Sequence, residues 1–429
     1  MTNPDLDSSK TSKSLALLAL LIIGLGAIVL LTLLHLALPF PFVFDDEYRY
    51  SQLARYGLLP GSRVAMFPIF LYLSTFSWVS SCGEGFLQCA RFMNVLFLVA
   101  SLLPLYRTAR LFMHRTLAVV IAAFAIAAPV HTYTAYFMAE TMYFFLFWIF
   151  VWFVLSHLRG NPLQLGSGIG AIGALLTLVK PHGLVLLGAA TVFVLVLAIV
   201  CRRTYPLRWL SKVLIAVALS FPVLRFGLGY ILAGRAGFDL LGAYRGQVAP
   251  MANLAALPSQ LAKVLHVAWG HMAGLIFLFS VPIAICVSHL PRLARPEPER
   301  SSGADLAELS LFTIVLFGVF VAFFSKFTVD IAGKGPYETL TRLHARYYDF
   351  ALPLFLIITA AFMESVQPAF VPRLRSRVIV VVVLVAGIVG SVFSLRAFTP
   401  VFIDDPELAW VAVSPRLLVL LGAAAVVLV

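Results

Sequence analysis

Long apolar runs constrain this chain more than any other feature of its sequence. About twelve of them approach the roughly 20 apolar residues that a helix needs to cross a bilayer. Hydrophobic residues make up 61% of the 429 positions, charged residues only 12%, and the mean hydropathy is +0.98. Soluble globular domains carry about 25% charged residues. The sequence therefore predicts an all-α polytopic membrane protein. The runs span 15–38, 88–112, 116–134, 137–157, 163–179, 183–201, 209–233, 264–288, 308–327, 348–366, 377–396 and 409–429.

Basic residues fall mainly in short loops that lie on one side if every run crosses. Cytoplasmic loops carry an excess of Lys and Arg, so this side is predicted to be the cytoplasm. The net charge of +12 is therefore a topology signal, and no nucleic-acid partner is expected. The first run is expected to be an uncleaved signal anchor. The basic clusters are Lys10 and Lys13; Arg107, Arg110 and Arg115; Arg202, Arg203 and Arg208; Arg292, Arg295 and Arg300; and Arg373, Arg375 and Arg377.

The sequence predicts a single transmembrane domain over residues 1–429, with no separate soluble domain. Two predicted outer loops stand out: a long first loop at 39–87 and a late basic loop at 328–347. The first loop contains the apolar stretch 66–79, which is too short to span and is expected to lie in the interface or to re-enter. Near its end, Cys82 and Cys89 could form a disulfide in an oxidising compartment or remain buried thiols.

The stretch Phe44-Asp-Asp-Glu-Tyr-Arg-Tyr50 places three carboxylates directly after the first apolar run. Acidic residues in the first turn of a helix complement the helix dipole, so a structural role is one interpretation. Charge close to hydrocarbon is costly, however, and such residues often mark a functional site. A carboxylate there can act as a general base towards a hydroxyl group, which is the second interpretation.

Two further sites fall on the same predicted side of the membrane. Glu140 precedes an almost purely apolar and aromatic run, where an ionisable side chain suggests function or a snorkelling interfacial residue. Lys180-Pro-His182-Gly183 forms a predicted tight turn between two helices. A lysine on the outer side is suited to binding phosphate, although it could also reach lipid headgroups.

The late basic loop holds Arg342, His344 and Arg346. In a helix, the two arginines would lie one turn apart, and such a like-charge pair is destabilising unless an anion lies between them. Spacing also allows ion pairs of Glu338 with Arg342 and of Asp349 with Arg346, so a surface ion-pair ladder is the alternative interpretation.

Together these motifs resemble the integral-membrane C-type glycosyltransferase superfamily, which includes protein O-mannosyltransferases and lipid A aminoarabinose transferases. The resemblance is carried by the acidic pair Asp45-Asp46 and by Glu140 heading the run Thr141-Met-Tyr-Phe-Phe145. It is carried also by the turn Val179-Lys-Pro-His-Gly183 and by Arg346-Tyr-Tyr348 shortly before Pro353. The sequence departs from the family's usual pattern at Glu140, where family members often carry Asp.

The resemblance implies a C-type glycosyltransferase-like fold, with short interfacial helices in the first outer loop. It implies transfer of a sugar from a polyprenyl-phosphate donor to a cell-envelope glycan or lipid, with inversion, on the periplasmic side of a bacterial inner membrane. Metal independence is expected, with Asp46 and Glu140 as the fallback pair for Mg²⁺ or Mn²⁺. The candidate catalytic residues are Asp46, Asp45 and Glu140, and the candidate substrate-binding residues are Lys180, His182, Arg342, His344, Arg346 and Tyr48.

Two other classes remain open at this point. About twelve helices with intramembrane charge would also suit a transporter or flippase of lipid-linked sugars. A polysaccharide polymerase or ligase would use the same lipid-linked donors. The clustering of unusual charges on one predicted side favours the glycosyltransferase.

Overall fold

A computed structural model of the chain describes residues 4–42, 44–56, 67–242, 245, 257–294, 305–335, 337–365, 374–409 and 414–428. Within these ranges, side chains at 4–13, 44, 45, 257, 294, 374–380, 415 and 425–428 lie outside the description. The described residues form helices joined by turns, with one isolated β-bridge between Arg342 and Thr399. The predicted all-α class is confirmed for this part of the chain.

The chain groups into two compact units, which are described separately. Unit 1 comprises Met1–Leu187 and Leu207–Gly242, and unit 2 comprises Gly188–Pro206 and Ala243–Val429. Unit 1 contains α1 (Pro4–Leu36), α2 (Phe44–Tyr56), α3 (Phe70–Phe76), α4 (Phe86–Ala100), α5 (Leu102–Ala109), α6 (Arg115–Ala127), α7 (Glu140–His157), α8 (Pro162–Val179), the start of α9 (Gly183–Val200), and α10 (Leu207–Ala233). Unit 2 contains the rest of α9, α11 (Leu257–His289), α12 (Leu306–Ile331), α13 (Pro353–Ser365), α14 (Leu374–Leu395) and α15 (Pro415–Leu428). Short 3-10 helices are Ser77–Gly85, Pro129–Ala135, Gly234–Phe238, Leu290–Ala294, Ala345–Tyr347 and Asp349–Ala351.

In unit 1, α8 packs closely along α10 because glycines allow the two backbones to approach. A Cβ at Gly166 would lie 2.3 Å from the carbonyl oxygen of Val213, and one at Gly170 would lie 2.1 Å from Ser220 Oγ. Small residues spaced four apart are typical of close packing between membrane helices. Asn161 begins α8, since its side chain accepts a hydrogen bond from Leu163 N at 2.9 Å.

The apolar stretch of the first loop is not a spanning helix by itself, since its helix has only seven residues. It forms the short helix α3, whose residues Phe70, Tyr72, Leu73 and Phe76 are buried and which packs against α8 and α10. The 3-10 helix that follows is joined to α4 by a disulfide between Cys82 and Cys89. Of the two states that the sequence allows for these cysteines, the structure contains the disulfide.

In unit 2, α11 packs against α12, α13 and α14, and α14 packs against α15. Loop residues join the core between these helices, since Leu343 and Leu408 are both buried in it. The remaining buried members of this cluster are Ala273, Phe277, Val392, Leu395, Phe398 and Leu418.

Eight segments of the described chain are long and apolar enough to cross a membrane, or nine if α6 and Pro129–Ala135, bent by 50°, count as one span. The integral membrane character is supported, whereas the prediction of about twelve spans is not reached. With the bent pair counted as one span, the three predicted runs that are missing from the count are the last three. Helix α13 has 13 residues and α15 has 14, and 13 residues rise only about 20 Å, against a hydrocarbon core of about 30 Å. Both helices begin at a proline, which favours a helix start and shortens the run.

Candidate functional site

The acidic stretch forms the first turn of α2, where carboxylates are favoured by the helix dipole. Glu47 is the buried member, with 1% of its surface exposed. Its Oε2 accepts a hydrogen bond from Phe42 N at 2.6 Å, and its Oε1 accepts one from Phe137 N at 2.7 Å. Glu47 therefore ties the loop before α2 to the segment that leads into α7.

The two predicted bases differ from Glu47 in their surroundings. Asp46 is half-buried, and the side chain of Asp45 lies outside the described residues. Tyr48, a predicted substrate-binding residue, is 64% exposed. Helical spacing in the sequence distinguishes Glu47 from its acidic neighbours. Tyr50 and Ala54, three and seven positions on, are also buried, which places all three on one face of α2.

Two polar residues of α4 hold the same region together, and sequence reasoning missed both. Arg91 donates from Nε to Ala135 O at 2.7 Å, from Nη2 to Phe40 O at 2.7 Å, and from Nη1 to Leu38 O. Asn94 donates to Tyr136 O at 2.6 Å and accepts from Thr141 Oγ1 at 2.8 Å. Their position inside an apolar helix is the signal that could have identified them, since polar side chains there need a specific task.

Glu140 and Lys180 form a buried ion pair. Lys180 Nζ lies 2.7 Å from Glu140 Oε1, and their side chains are 7% and 5% exposed. Glu140 is the first residue of α7 and Lys180 directly follows α8, so each charge complements the dipole of its own helix end. Burial of two charges is compensated only where such geometry is good. The pairing of these two predicted site residues with each other was not expected from the sequence.

The turn after Lys180 depends on its glycine. A Cβ at Gly183 would lie 2.5 Å from the backbone nitrogen of Thr177, so a larger residue cannot enter without moving backbone. His182 is buried in the same turn. The turn therefore fixes where Lys180 and His182 lie.

Electrostatics link the first acidic stretch to Glu140. Burial, followed by the charges of Glu47 and Glu140 in that order, raises the pKa of the Tyr136 phenol to about 12. Both carboxylates thus act on one side chain. We call Asp46, Glu47, Tyr136, Glu140 and Lys180 the carboxylate cluster. Glu47 and Glu140 are linked through Tyr136, Lys180 is linked to Glu140 by the ion pair, and Asp46 is included as the chain neighbour of Glu47.

In unit 2, the late basic loop surrounds a carboxylate. Arg342 Nε donates to Asp404 Oδ2 at 2.6 Å, and Arg346 Nε lies 3.1 Å from Asp404 Oδ1. Arg342 also pairs with Glu338 at 3.0 Å, as its spacing predicts. The anion expected between the two arginines is present, but it is Asp404, which is fully buried and was not identified from the sequence. We call Glu338, Arg342, His344, Arg346 and Asp404 the arginine cluster.

His344 also has partners within this cluster. Its Nδ1 lies 2.9 Å from Thr328 Oγ1 and its Nε2 lies 3.4 Å from Glu338 Oε2. The hydrogen bond with His344 is the largest cause that lowers the pKa of Glu338. Burial alone would raise the pKa of Asp404, but the charges of Arg346, His344 and Arg342 outweigh it and hold that pKa below its ordinary value.

The side chain of the next residue, Asp405, accepts hydrogen bonds from backbone nitrogens and so holds the loop backbone in place. Its Oδ1 accepts from Ala345 N at 3.0 Å, and its Oδ2 accepts from Val401 N at 3.3 Å. Burial and the charge of Asp404 raise the pKa of Asp405 well above its ordinary value. Asp404 and Asp405 lie about 60 residues from the loop that they hold, and local spacing carries no signal for such contacts.

The predicted site residues therefore fall into two sets, one in each unit. Among the described residues, no group of three or more His, Cys, Asp or Glu side chains is arranged to hold a metal ion. No family model, curated protein or solved structure matches this chain.

Proposed function

We propose that this protein is a membrane glycosyltransferase that moves a sugar from a polyprenyl-phosphate donor to a glycan or lipid acceptor on the non-cytoplasmic side. The observation that carries the proposal is the carboxylate cluster. In it, the half-buried Asp46 adjoins the buried Glu47 along α2, and Glu47 and Glu140, which forms a buried ion pair with Lys180, both act on Tyr136. Sugar transfer from a phosphate requires both a base and a cation. The disulfide of the first loop supports an oxidising compartment for that side.

In this mechanism Asp46 is the general base. It removes the proton from the acceptor hydroxyl, whose oxygen attacks the anomeric carbon while the bond from that carbon to the phosphate oxygen breaks. The phosphate departs with the electron pair, and the anomeric configuration is inverted. Asp46 suits the role better than Glu47 because Asp46 is half-buried, whereas Glu47 is only 1% exposed and an acceptor reaches it less readily.

Lys180 and His182 are proposed to face the departing phosphate. Glu140 holds the Lys180 ammonium group in place before the donor binds. As negative charge grows on the phosphate, its attraction to Lys180 increases, so the stabilisation is greatest in the transition state. Binding of phosphate by Arg342, His344 and Arg346 stays a prediction of the family resemblance.

The fallback metal pair fits a divalent cation poorly. A carboxylate that binds Mg²⁺ or Mn²⁺ offers its oxygen to the metal. Oε1 of Glu140 instead contacts the Lys180 ammonium group at 2.7 Å. The proposed mechanism therefore routes no step through a metal.

The test is transfer of labelled sugar from a panel of polyprenyl-phosphate sugars by the purified full chain in liposomes. Asp46→Asn should lower the rate about 100-fold or more, as loss of a general base does. Glu84→Gln is the matched control because it removes an exposed carboxylate of the same loop, and it should retain the rate. Full activity of Asp46→Asn, or no transfer from any donor, would overturn the proposal. Movement of the intact donor across the bilayer without cleavage would favour the transporter class.

A further inference from the structure

Tyr72 of α3 buries its phenol completely, with none of its surface exposed. Its ring lies edge-on to Tyr50 at 5.5 Å between centroids and stacks on Phe76 at 4.4 Å. Among the residues that the structure describes, none forms a hydrogen bond with the Tyr72 hydroxyl. A buried hydroxyl without a partner costs free energy, and buried tyrosines usually find one. A ligand with an acceptor oxygen would therefore supply the hydrogen-bond partner that the described residues do not provide for this hydroxyl.

The ring contacts connect Tyr72 to α2, the helix that carries the proposed base. Tyr50 is four residues after Asp46 in α2, so the two share one face of the helix, one turn apart. Phe76 contacts Phe137, whose ring centroid lies 5.9 Å away and whose backbone nitrogen donates to Glu47. Tyr72 thus belongs to the packing that holds the carboxylate cluster.

Charge at this position indicates what kind of ligand group the hydroxyl would meet. The charged groups that act on the Tyr72 phenol are Glu140 and Glu47, and both are acidic. A carboxylate accepts hydrogen bonds, so a group that also donates suits this position better than a phosphate oxygen, which only accepts. A sugar hydroxyl is neutral, and it can accept from the Tyr72 O–H while it donates to a carboxylate.

We infer that Tyr72 is a positioning residue that donates a hydrogen bond to one hydroxyl of the transferred sugar. The inference rests on the proposed function and deepens it, because it assigns the sugar end of the donor to the side of α3 that carries Tyr72. A site built to hydrogen-bond a substrate hydroxyl discriminates strongly against an analogue that lacks it. Tyr72 would then help to determine which sugar is transferred.

The experiment uses Tyr72→Phe, which removes only the hydroxyl. We expect the KM for the donor to rise about 10-fold, or the rate at low donor concentration to fall equally, since one hydrogen bond is lost. Wild-type protein should discriminate against one of a series of singly deoxygenated donor sugars. The variant should accept that deoxy sugar and its parent equally, which a purely structural role would not produce.

Tyr205→Phe is the control. Tyr205 is equally buried, but its hydroxyl donates to Glu308 Oε1 at 2.8 Å. Removing that hydroxyl should lower the unfolding temperature and leave sugar discrimination unchanged, whereas Tyr72→Phe should not lower the unfolding temperature. If wild-type protein transfers sugar but Tyr72→Phe keeps its KM and its discrimination, the Tyr72 inference fails and the proposed function stands. If wild-type protein transfers no sugar, both fail.

Discussion

The two polar clusters satisfy their buried charges in different ways. In the arginine cluster, two guanidinium groups converge on the single carboxylate of Asp404, and Glu338 adds a second anion. In the carboxylate cluster, the carboxylates are held by backbone nitrogens and by one ammonium group. The arginine cluster therefore balances its cations with anions of its own chain, whereas the carboxylate cluster holds the three carboxylates of Asp46, Glu47 and Glu140 and a single ammonium group.

This difference separates a structural task from a ligand-binding one. The arginine cluster joins the loop before α13 to the segment after α14, where Thr399 N also donates to Thr341 O at 2.8 Å. Guanidinium groups suit such a task because their planar fork matches a carboxylate. The ammonium group of Lys180 is a point charge on a flexible stem, which can follow a phosphate more readily. On this comparison, unit 1 is the better place to look for chemistry.

The largest expected effect is on the arginine cluster. Asp404→Asn removes the charge that two largely buried arginines share, and loss of one partner from a buried ion pair costs about 3–5 kcal/mol. We expect thermal unfolding of the purified protein to show this loss. Asp330→Asn is the control, because its pair with Lys326 is a local one on α12 and should cost under about 1 kcal/mol. Equal losses of stability in Asp404→Asn and Asp330→Asn would contradict the structural role assigned to the arginine cluster.

The second prediction tests whether the pair in unit 1 serves more than stability. Glu140→Gln and Lys180→Met should each cost about 3 kcal/mol, because each leaves the other charge buried. The double variant should regain most of this loss, with a coupling energy measured by a double-mutant cycle. Sugar transfer should stay low in all three variants. Recovery of transfer in the double variant would mean that the pair is structural, like the arginine cluster.

A third measurement uses the disulfide, which lies in unit 1. Cys82→Ser with Cys89→Ser opens a short loop, and loss of such a crosslink costs about 2 kcal/mol. The cysteines described in unit 2, Cys201 and Cys286, are free and buried. Hydrogen exchange should therefore increase in unit 1 after mild reduction and remain unchanged in unit 2. An increase in unit 2 would contradict the assignment.

The smallest effect is a pH dependence of unit 2. Burial raises the pKa of Glu407 from its ordinary 4.5 to about 7. Between these two pKa values the folded state holds a proton that the unfolded state releases. The free energy of unfolding therefore falls as pH rises from about 4.5 to about 7. We expect an unfolding temperature lower by about 2 °C at the upper end of the window.

Two neighbouring carboxylates also contribute to the pH dependence, and the control substitution has to account for them. Asp405 also has a raised pKa, so Glu407→Gln should reduce the slope without abolishing it. Asp404 acts in the opposite direction, but only as pH falls below its ordinary pKa of 3.8. A slope that is unchanged in Glu407→Gln would contradict the prediction.

The sequence was informative where contacts are local or where hydropathy decides. Apolar runs identified the spanning helices, and spacing identified the pair of Glu338 with Arg342. It did not identify Asp404, because contacts between distant segments leave no periodic pattern. Nor did it show that Lys180 pairs with Glu140, since each residue separately suggested a ligand. The length of α13 was overestimated because its apolar run extends back past Pro353, where the helix begins.

The hydrogen bond from Phe137 to Glu47 has a consequence in time. These residues lie 90 positions apart. At a synthesis rate of about 5–20 residues per second, Glu47 waits about 5–18 s before its partner is made. During that interval the carboxylate can remain hydrated only outside the hydrocarbon. The first loop must therefore complete its structure after the segment leading into α7 has been synthesised, and assembly of this end of unit 1 follows the order of biosynthesis.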